Sequence, residues 1–374
     1  MTDSIDALAA WLRLTLIPGI GGETQRTLLK AFGLPEAVFA ASHSALSGLI
    51  GSALAERLHS HDASATIGPT LDWAAQTGNG IVTLADPEYP QALLDSADPP
   101  VLLYIKGRRE LLNQPMLAMV GSRNATAQGE RDATAFARSL GEAGLTIVSG
   151  LALGIDAAAH RGALTTLAST VAIIGTGADR LYPARNADLA REIAAHGAIL
   201  SEFPLGTPAL ANNFPRRNRI IAGMAKGCLV VEAAPRSGSL ITARLSAEAG
   251  REVFAIPGSI HSPQARGCHQ LIRQGAKLVE TSQDVLEELG WTAQPANKEK
   301  VGAGEMKCPA AGTAPKPDSD EERVLTALGN SPSDLDTLSQ RSGLTAAGLL
   351  AILLPMELGG RVAQLPGGLY QRLH

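Results

Sequence analysis

Cysteine is scarce in this chain. Cys228, Cys268 and Cys308 are the three in 374 residues, spaced forty apart, with no Cys-x-x-Cys pair and no nearby histidine pair at zinc spacing. Such spacing supports neither a disulfide framework nor a metal site and predicts reduced thiols in a cytosolic protein. No apolar run approaches the roughly eighteen residues of a membrane span. The amino terminus shows no basic segment leading into an apolar core, so neither membrane insertion nor secretion is expected. An excess of cations is also missing: 32 Lys and Arg against 36 Asp and Glu leave a net charge of −4. A nucleic-acid partner would therefore have to be held by a local patch, not by the field of the whole molecule. Aromatic residues make up 3% while apolar residues reach 45%, with 39 glycines, an Ala/Gly-rich composition of α/β type. The length exceeds one average domain and suffices for a large core. No Walker A lysine, G-x-S-x-G elbow or paired-carboxylate arrangement stands out, so no catalytic residue, metal ligand or cofactor is expected.

What is present is regular alternation. Leu117-Ala118-Met119-Val120 is a short apolar run that stops at Gly121-Ser122-Arg123; helical spacing of Ala, Phe and Leu follows, and a second apolar run from Leu145 stops at Ser149-Gly150. Strand, glycine turn, helix, strand is the βαβ unit of a parallel sheet. Both turns fall at carboxyl ends of strands, where open α/β sheets bind ligands. A Gly-Ser turn feeding a helix aims free N–H groups and the positive end of the helix dipole at one point, which suits a phosphate, and Arg123 adds a full charge. Further strands are expected at 170–174, 198–200, 228–232 and 251–256, with a lead-in pair at 81–84 and 101–106 and helices in the gaps as far as Leu289. Runs such as Cys228-Leu229-Val230-Val231 fit strands covered on both faces, and the fold class is α/β with a doubly wound sheet. A dinucleotide site is disfavoured, because the first turn has one glycine of the G-x-G-x-x-G set and the second strand ends in Ser149-Gly150-Leu151-Ala152 without an acid for a ribose. Asp156 and His160, four apart on one helix face, read as a structural hydrogen-bonding pair that orients the helix against the sheet.

Four segments are expected. Residues 1–75 read as helices, two of them joined by Ile17-Pro18-Gly19-Ile20-Gly21-Gly22. Helix, Pro-Gly-x-Gly hairpin, helix resembles the helix-hairpin-helix unit, whose hairpin N–H groups hold a DNA phosphate. A tight connection needing glycine for its backbone angles is the other reading, and both stay open. The sheet domain occupies 76–290. Residues 291–319 are Pro/Gly/Ala/Lys-rich without periodicity and read as a flexible linker. Residues 320–374 carry three helices at 321–329, 334–341 and 345–358, then a hairpin at 359–370, which is a winged-helix pattern. A groove-reading helix needs cations; this third helix has none, and residues 319–374 hold four cations against six anions, so a protein-contact or packing role is expected.

Two further motifs bear on binding. Asn213-Phe214-Pro215-Arg216-Arg217-Asn218-Arg219 places three arginines at a helix start, against a macrodipole that prefers anions there. Phe214 and Asn218 among Arg216, Arg217 and Arg219 point to base stacking and phosphate contact on one strand of nucleic acid. A solvated face is the plain alternative, and at least one arginine is open to pairing with Glu202 or Glu232 inside the fold. Arg236-Ser237-Gly238-Ser239-Leu240-Ile241-Thr242 is a third glycine turn opening a helix. Arg236, Ser237 and Thr242 beside Gly238 are candidate phosphate donors, against simple capping by Ser237 or Ser239. Three turns converging on one sheet edge weigh more than any one of them.

At these residues the chain resembles the DprA/Smf family of bacterial DNA-processing proteins. The matching stretches are VGSRNAT (120–126), SGLALGIDAAAHRGAL (149–164), GTGADRLYPARNADLA (175–190), SEFPLG (201–206), NFPRRNRIIAGMAKGCLVVEA (213–233), RSGSLITARLSAEAGREVFAIPGS (236–259) and GCHQLIRQGAKLV (267–279), in the family's order. The resemblance implies an extended Rossmann-like domain, a helical SAM-like first domain and a variable winged-helix tail. It further implies a cytoplasmic homodimer, not an enzyme, that binds and protects single-stranded DNA in natural transformation. Such a protein hands the strand to the RecA recombinase while displacing single-strand-binding protein. Carried over by position, Gly121, Ser122 and Arg123 form the phosphate turn, with Ser149 and Gly150 beside it, and Phe214 with Arg216, Arg217 and Arg219 lines the strand's pocket. Some members carry a lysine just before the position of Phe214, where this chain has Asn213. The competing resemblance is to nucleotide-binding and nucleoside 5′-monophosphate phosphoribohydrolase relatives of the same sheet, with a Pro-Gly-Gly-x-Gly-Thr-x-x-Glu pattern. Here Gly238-Ser239-Leu240-Ile241-Thr242-Ala243-Arg244 stands in its place, without the glutamate.

Overall fold

The computed structural model describes residues 2–291, 320–329 and 332–373; the expected linker at 291–319 lies outside them save for Trp291. Six helices come first: α1 (Thr2–Leu16), α2 (Gly22–Phe32), α3 (Pro35–Ala40), α4 (His43–Ile50), α5 (Ser52–Ser60) and α6 (Ser64–Ala74). Leu14, Ile17, Leu28, Val38, Leu46 and Leu58 form their shared core. Gly33 and Gly51, at φ +89 and +85, take the left-handed backbone that ends α2 and α4. The buried Gln25 amide donates to the Ile20 and Leu14 carbonyls and so closes the α1–α2 hairpin from inside.

The alternating region follows as β1 (Asn79–Thr83), α7 (Gln91–Leu94), β2 (Leu102–Gly107), β3 (Met116–Val120), α8 (Ala127–Glu142), β4 (Thr146–Ser149), α9 (Ile155–Leu164), β5 (Thr170–Ile173), α10 (Ala187–His196) and β6 (Ala198–Ser201). It continues through α11 (Asn213–Met224), β7 (Gly227–Val230), α12 (Ser239–Glu248), β8 (Glu252–Ala255), α13 (Arg266–Arg273), β9 (Lys277–Leu278) and α14 (Ser282–Glu288). The sheet order is β1-β2-β6-β5-β4-β3-β7-β8-β9. From β6 to β9 every pairing is parallel, and the lead-in strands β1 and β2 add antiparallel to the β6 edge. The two-residue β9 is too short for any periodicity in the sequence to announce.

Side-chain alternation along β3 fixes the layers. Leu117 and Met119 pack with Leu140 of α8 and Ile155 of α9. Ala118 and Val120 turn the other way, toward Ile220 and Ile221 of α11 and Ala243 of α12. The crossovers on either side of β3 therefore run over opposite faces, which makes its carboxyl end the switch point where such sheets open a crevice.

The last part forms α15 (Asp320–Leu328), β10 (Ser333–Asp334), α16 (Leu335–Ser342), α17 (Ala346–Leu358), β11 (Val362–Leu365) and β12 (Leu369–Arg372), with strand order β10-β12-β11. Three helices around Val324, Leu338, Leu349, Leu353 and Tyr370, closed by that small sheet, are a winged helix. Gly367 and Gly368, at φ +89 and +73, turn the wing. α17 turns Leu350, Leu354 and Leu358 outward and has no cation of its own. Among the described residues no single helix is long and apolar enough to cross a membrane.

Candidate nucleic-acid interface

A cleft of about 830 Å³ opens at the carboxyl ends of β3 and β7. The turn after β3 (121–124), the start of α11 and the turn into α12 (236–239) all line it, so the structure brings two of the glycine turns and the arginine segment together.

The turn after β3 differs from its sequence reading. A Cβ on Gly121 would come within 2.6 Å of the Ile155 side chain, so this glycine serves the close packing of α9. The Ser122 hydroxyl accepts from Asn124 N at 3.1 Å and donates to Gln264 Oε1 at 3.3 Å, so it is engaged internally. The dipole of α8 is also occupied. Thr126 caps the helix by accepting from Gly129 N. Glu232, just past β7, then accepts from Thr126 N at 2.9 Å and Thr126 Oγ1 at 2.6 Å. An internal carboxylate holds the place the sequence assigned to a phosphate, and burial raises its pKa above the usual carboxylate range. Arg123 stays exposed, its guanidinium carbon 5.7 Å from the centre of the Phe214 ring. Tyr182 stands 5.6 Å from the same ring.

Ser149 lies behind the cleft, contrary to its placement in the site, whereas Gly150 lines a smaller adjoining pocket with Arg123, Phe214 and Arg217. The buried Ser149 hydroxyl donates to the Met119 carbonyl at 2.6 Å, and Gly150 N donates to Asp156 Oδ2 at 3.1 Å, as does Ala152 N at 3.3 Å. Burial raises the Asp156 pKa, opposed by the facing charge of Arg217 and by these amides. His160 is fully buried. Its Nδ1 is 2.7 Å from the Thr170 hydroxyl, which itself donates to the Ile147 carbonyl, so Nδ1 carries the proton and Nε2 accepts from Leu151 N at 3.3 Å. That bond braces Leu151 at φ +57, a strained value for a branched side chain. Burial pushes the His160 pKa down to about 3. A depressed histidine contributes stability above its unfolded pKa and loses it as pH falls toward the folded value. The protein is expected to lose about 2 kcal/mol between pH 7 and pH 5 through this group alone. Urea melts of the unaltered chain and of His160→Gln check this, since the variant should lack that slope.

The α11 arginines divide. Arg217 is 4% exposed, donates to the Ile173 carbonyl at 2.9 Å and forms part of the cleft floor. Burial pushes its pKa down to about 10, which leaves it charged at neutral pH. Arg219 turns away from the cleft, pairing with Glu202 and lying 2.9 Å from Asp98 Oδ2; its place in the strand's pocket is thereby corrected. Arg216 does not line the cleft but stands at its rim, between the lining residues Pro215 and Arg217, exposed, 3.1 Å from Glu202 and 5.5 Å over the Phe203 ring. Asn218 reaches the Gly238 carbonyl at 3.4 Å, a long bond that joins α11 to the next turn. In that turn Arg236 is exposed, Ser237 is tied to Ser239 at 2.7 Å, and Thr242 is buried in the wall. Tyr182, Asn124 and Gln264 also line the cleft. No spacing in the sequence marks them, since all three sit in irregular loops.

Asp98 Oδ1 lies 3.5 Å from where a Cβ on Gly22 would be, so a carboxylate of this chain stands at the start of α2. Among the described residues no group of three His, Cys, Asp or Glu is placed to hold a metal ion. Cys228 and Cys268 are buried, their thiols pushed up to about 12 by burial, and Cys308 lies outside the described residues.

A doubly wound sheet with guanidinium groups gathered at its switch point defines a Rossmann-like α/β protein with a cation-lined cleft. The family model for DNA recombination-mediator protein A matches residues 80–290, and that for the DprA winged helix domain matches 309–368. Protein Smf of Escherichia coli is 40% identical over 314 residues, 82% of this chain and 81% of its own. DNA processing protein A of Streptococcus pneumoniae superposes with a TM-score of 0.67 at 38% identity, over 75% of this chain and 97% of that one. DNA processing protein A of Helicobacter pylori, whose structure is described for its single-stranded DNA binding mode, has a TM-score of 0.52 at 30% identity, over 56% of this chain and 95% of that one. The chain belongs to the DprA/Smf family of DNA-processing proteins.

Proposed function

We propose that the cleft binds single-stranded DNA. In this reading a cytoplasmic homodimer protects the incoming strand during natural transformation, displaces single-strand-binding protein and loads the RecA recombinase. The observation that carries the reading is the charge of the lining: Arg123, Arg217 and Arg236 meet one acid, Asp156, whose Oδ2 is already bonded to two amides. This is a local cationic patch on a chain with net charge −4. Phe214 beside Arg123 supplies a stacking platform, which every base fits, so affinity comes with weak sequence preference. The segments proposed from the sequence, 1–75, 76–290, 291–319 and 320–374, serve here as helical domain, DNA-binding domain, linker and protein-contact module.

Titration with short oligo-dT and with duplex at two salt concentrations tests the reading. Single strands should bind more tightly, with affinity falling as salt rises; equal or tighter binding of duplex would overturn it. A binding role, not catalysis, is favoured by the sealed, neutral His160 and the backbone-bonded Asp156. Release of free base from AMP would instead favour a phosphoribohydrolase.

A further inference from the structure

The α11 arginines are held from behind by a line of alternating charges. Glu202, 7% exposed, lies 3.1 Å from Arg216 through Oε2 and pairs with Arg219 through Oε1. Arg219, 17% exposed, continues the line to Asp98, with Nε 2.9 Å from Oδ2 and Nη1 donating to the Asp98 carbonyl at 2.6 Å. The other Asp98 oxygen is 2.5 Å from Nη1 of Arg26 in α2, and that same nitrogen donates to the Pro99 carbonyl at 2.9 Å. Arg26, Asp98, Arg219, Glu202 and Arg216 thus run from the helical region to the rim of the cleft. Arg219 Nε and Glu202 Oε2 sit at ion-pair distance but off the hydrogen-bond line. Those two contacts are electrostatic, while Arg219 Nη2 donates to Glu202 Oε1 and Nη1 to the Asp98 carbonyl, so each carboxylate sits between two cations. Without the Asp98 carboxylate, the half-buried Arg219 would have Glu202 as its one anionic partner and slacken that carboxylate's hold on Arg216.

We propose that Asp98 is a positioning residue for DNA binding: by taking one side of Arg219 it leaves Glu202 to fix Arg216 at the cleft rim, and by taking Arg26 it ties α2 to the same line. The inference rests on the single-stranded DNA reading above.

Two physical effects of Asp98→Asn have opposite signs. Removing an anion near a DNA-binding face tightens binding if long-range electrostatics is all that operates. Loss of positioning weakens it. Oligo-dT titrations of the full chain should show Asp98→Asn binding about threefold to tenfold more weakly, as expected for coupled neighbours. That loss should vanish when Asp98→Asn is added to Arg216→Ala, and Asp98→Glu should recover part of it. In the unaltered protein, amide hydrogen exchange of residues 22–26 should slow when oligo-dT is added, a readout that needs no variant. Tighter binding by Asp98→Asn, the same loss in the Arg216→Ala background, or unchanged exchange in α2 would each overturn the proposal. Failure of the unaltered chain to bind oligo-dT would instead remove the functional reading on which it stands.

Discussion

Arg123→Ala is expected to weaken oligo-dT binding about tenfold to a hundredfold, the range for one charge-assisted hydrogen bond to phosphate. The slope of log affinity against log salt should fall by about 0.7, the value for one phosphate contact on a single strand. Arg123 is the exposed cation of its turn, and neighbouring donors are engaged elsewhere: Ser122 with Gln264 and Asn124, and Thr126 with Glu232. The matched control is Arg138→Ala, which removes the same charge from an exposed pair with Glu142 on α8. Fluorescence anisotropy across a salt series separates the two. Equal slopes for both variants would take Arg123 out of the interface.

Gly150→Val should be the most damaging single change at the cleft floor. A Cβ at this position would fall 1.5 Å from Arg217 Nη1, and Arg217 has little room to move, being 4% exposed. The added side chain must expel the guanidinium, which leaves the Asp156 carboxylate without its facing cation. Overpacking and an uncompensated buried charge together should cost about 3 kcal/mol or more. Urea denaturation at pH 7 measures this directly. A stability within about 0.5 kcal/mol of the unaltered chain, as for ordinary surface changes, would show that Arg217 leaves its seat freely.

The strands could be read in advance because both sheet faces are covered, which forces continuous apolar runs such as Leu117–Val120 and Cys228–Val231. The convergence of the turns after β3 and β7 was legible for the same reason: once the strands are parallel, every strand-to-helix turn lies at one edge. What each side chain does there was harder to read, since its partner comes from far along the chain. Arg219 and Arg217 are two residues apart, yet one reaches Asp98 and Glu202 while the other faces Ile173 and Asp156. The Gly-Ser turn looked ready for a phosphate, and only the folded chain brings Glu232 to the first turn of α8. Tyr182 carried no periodic signal, although it stands against Phe214.

The position of β3, with crossovers leaving over opposite faces, has a consequence for how such a protein can vary. The gap at its tip is set by the backbone ladders to β4 and β7, so its width is a property of the sheet and not of any loop. Substitutions in the segments that line it can exchange one ligand preference for another while the opening keeps its dimensions, and a change that shifted the β3–β7 register would erase the opening however well its rim were preserved.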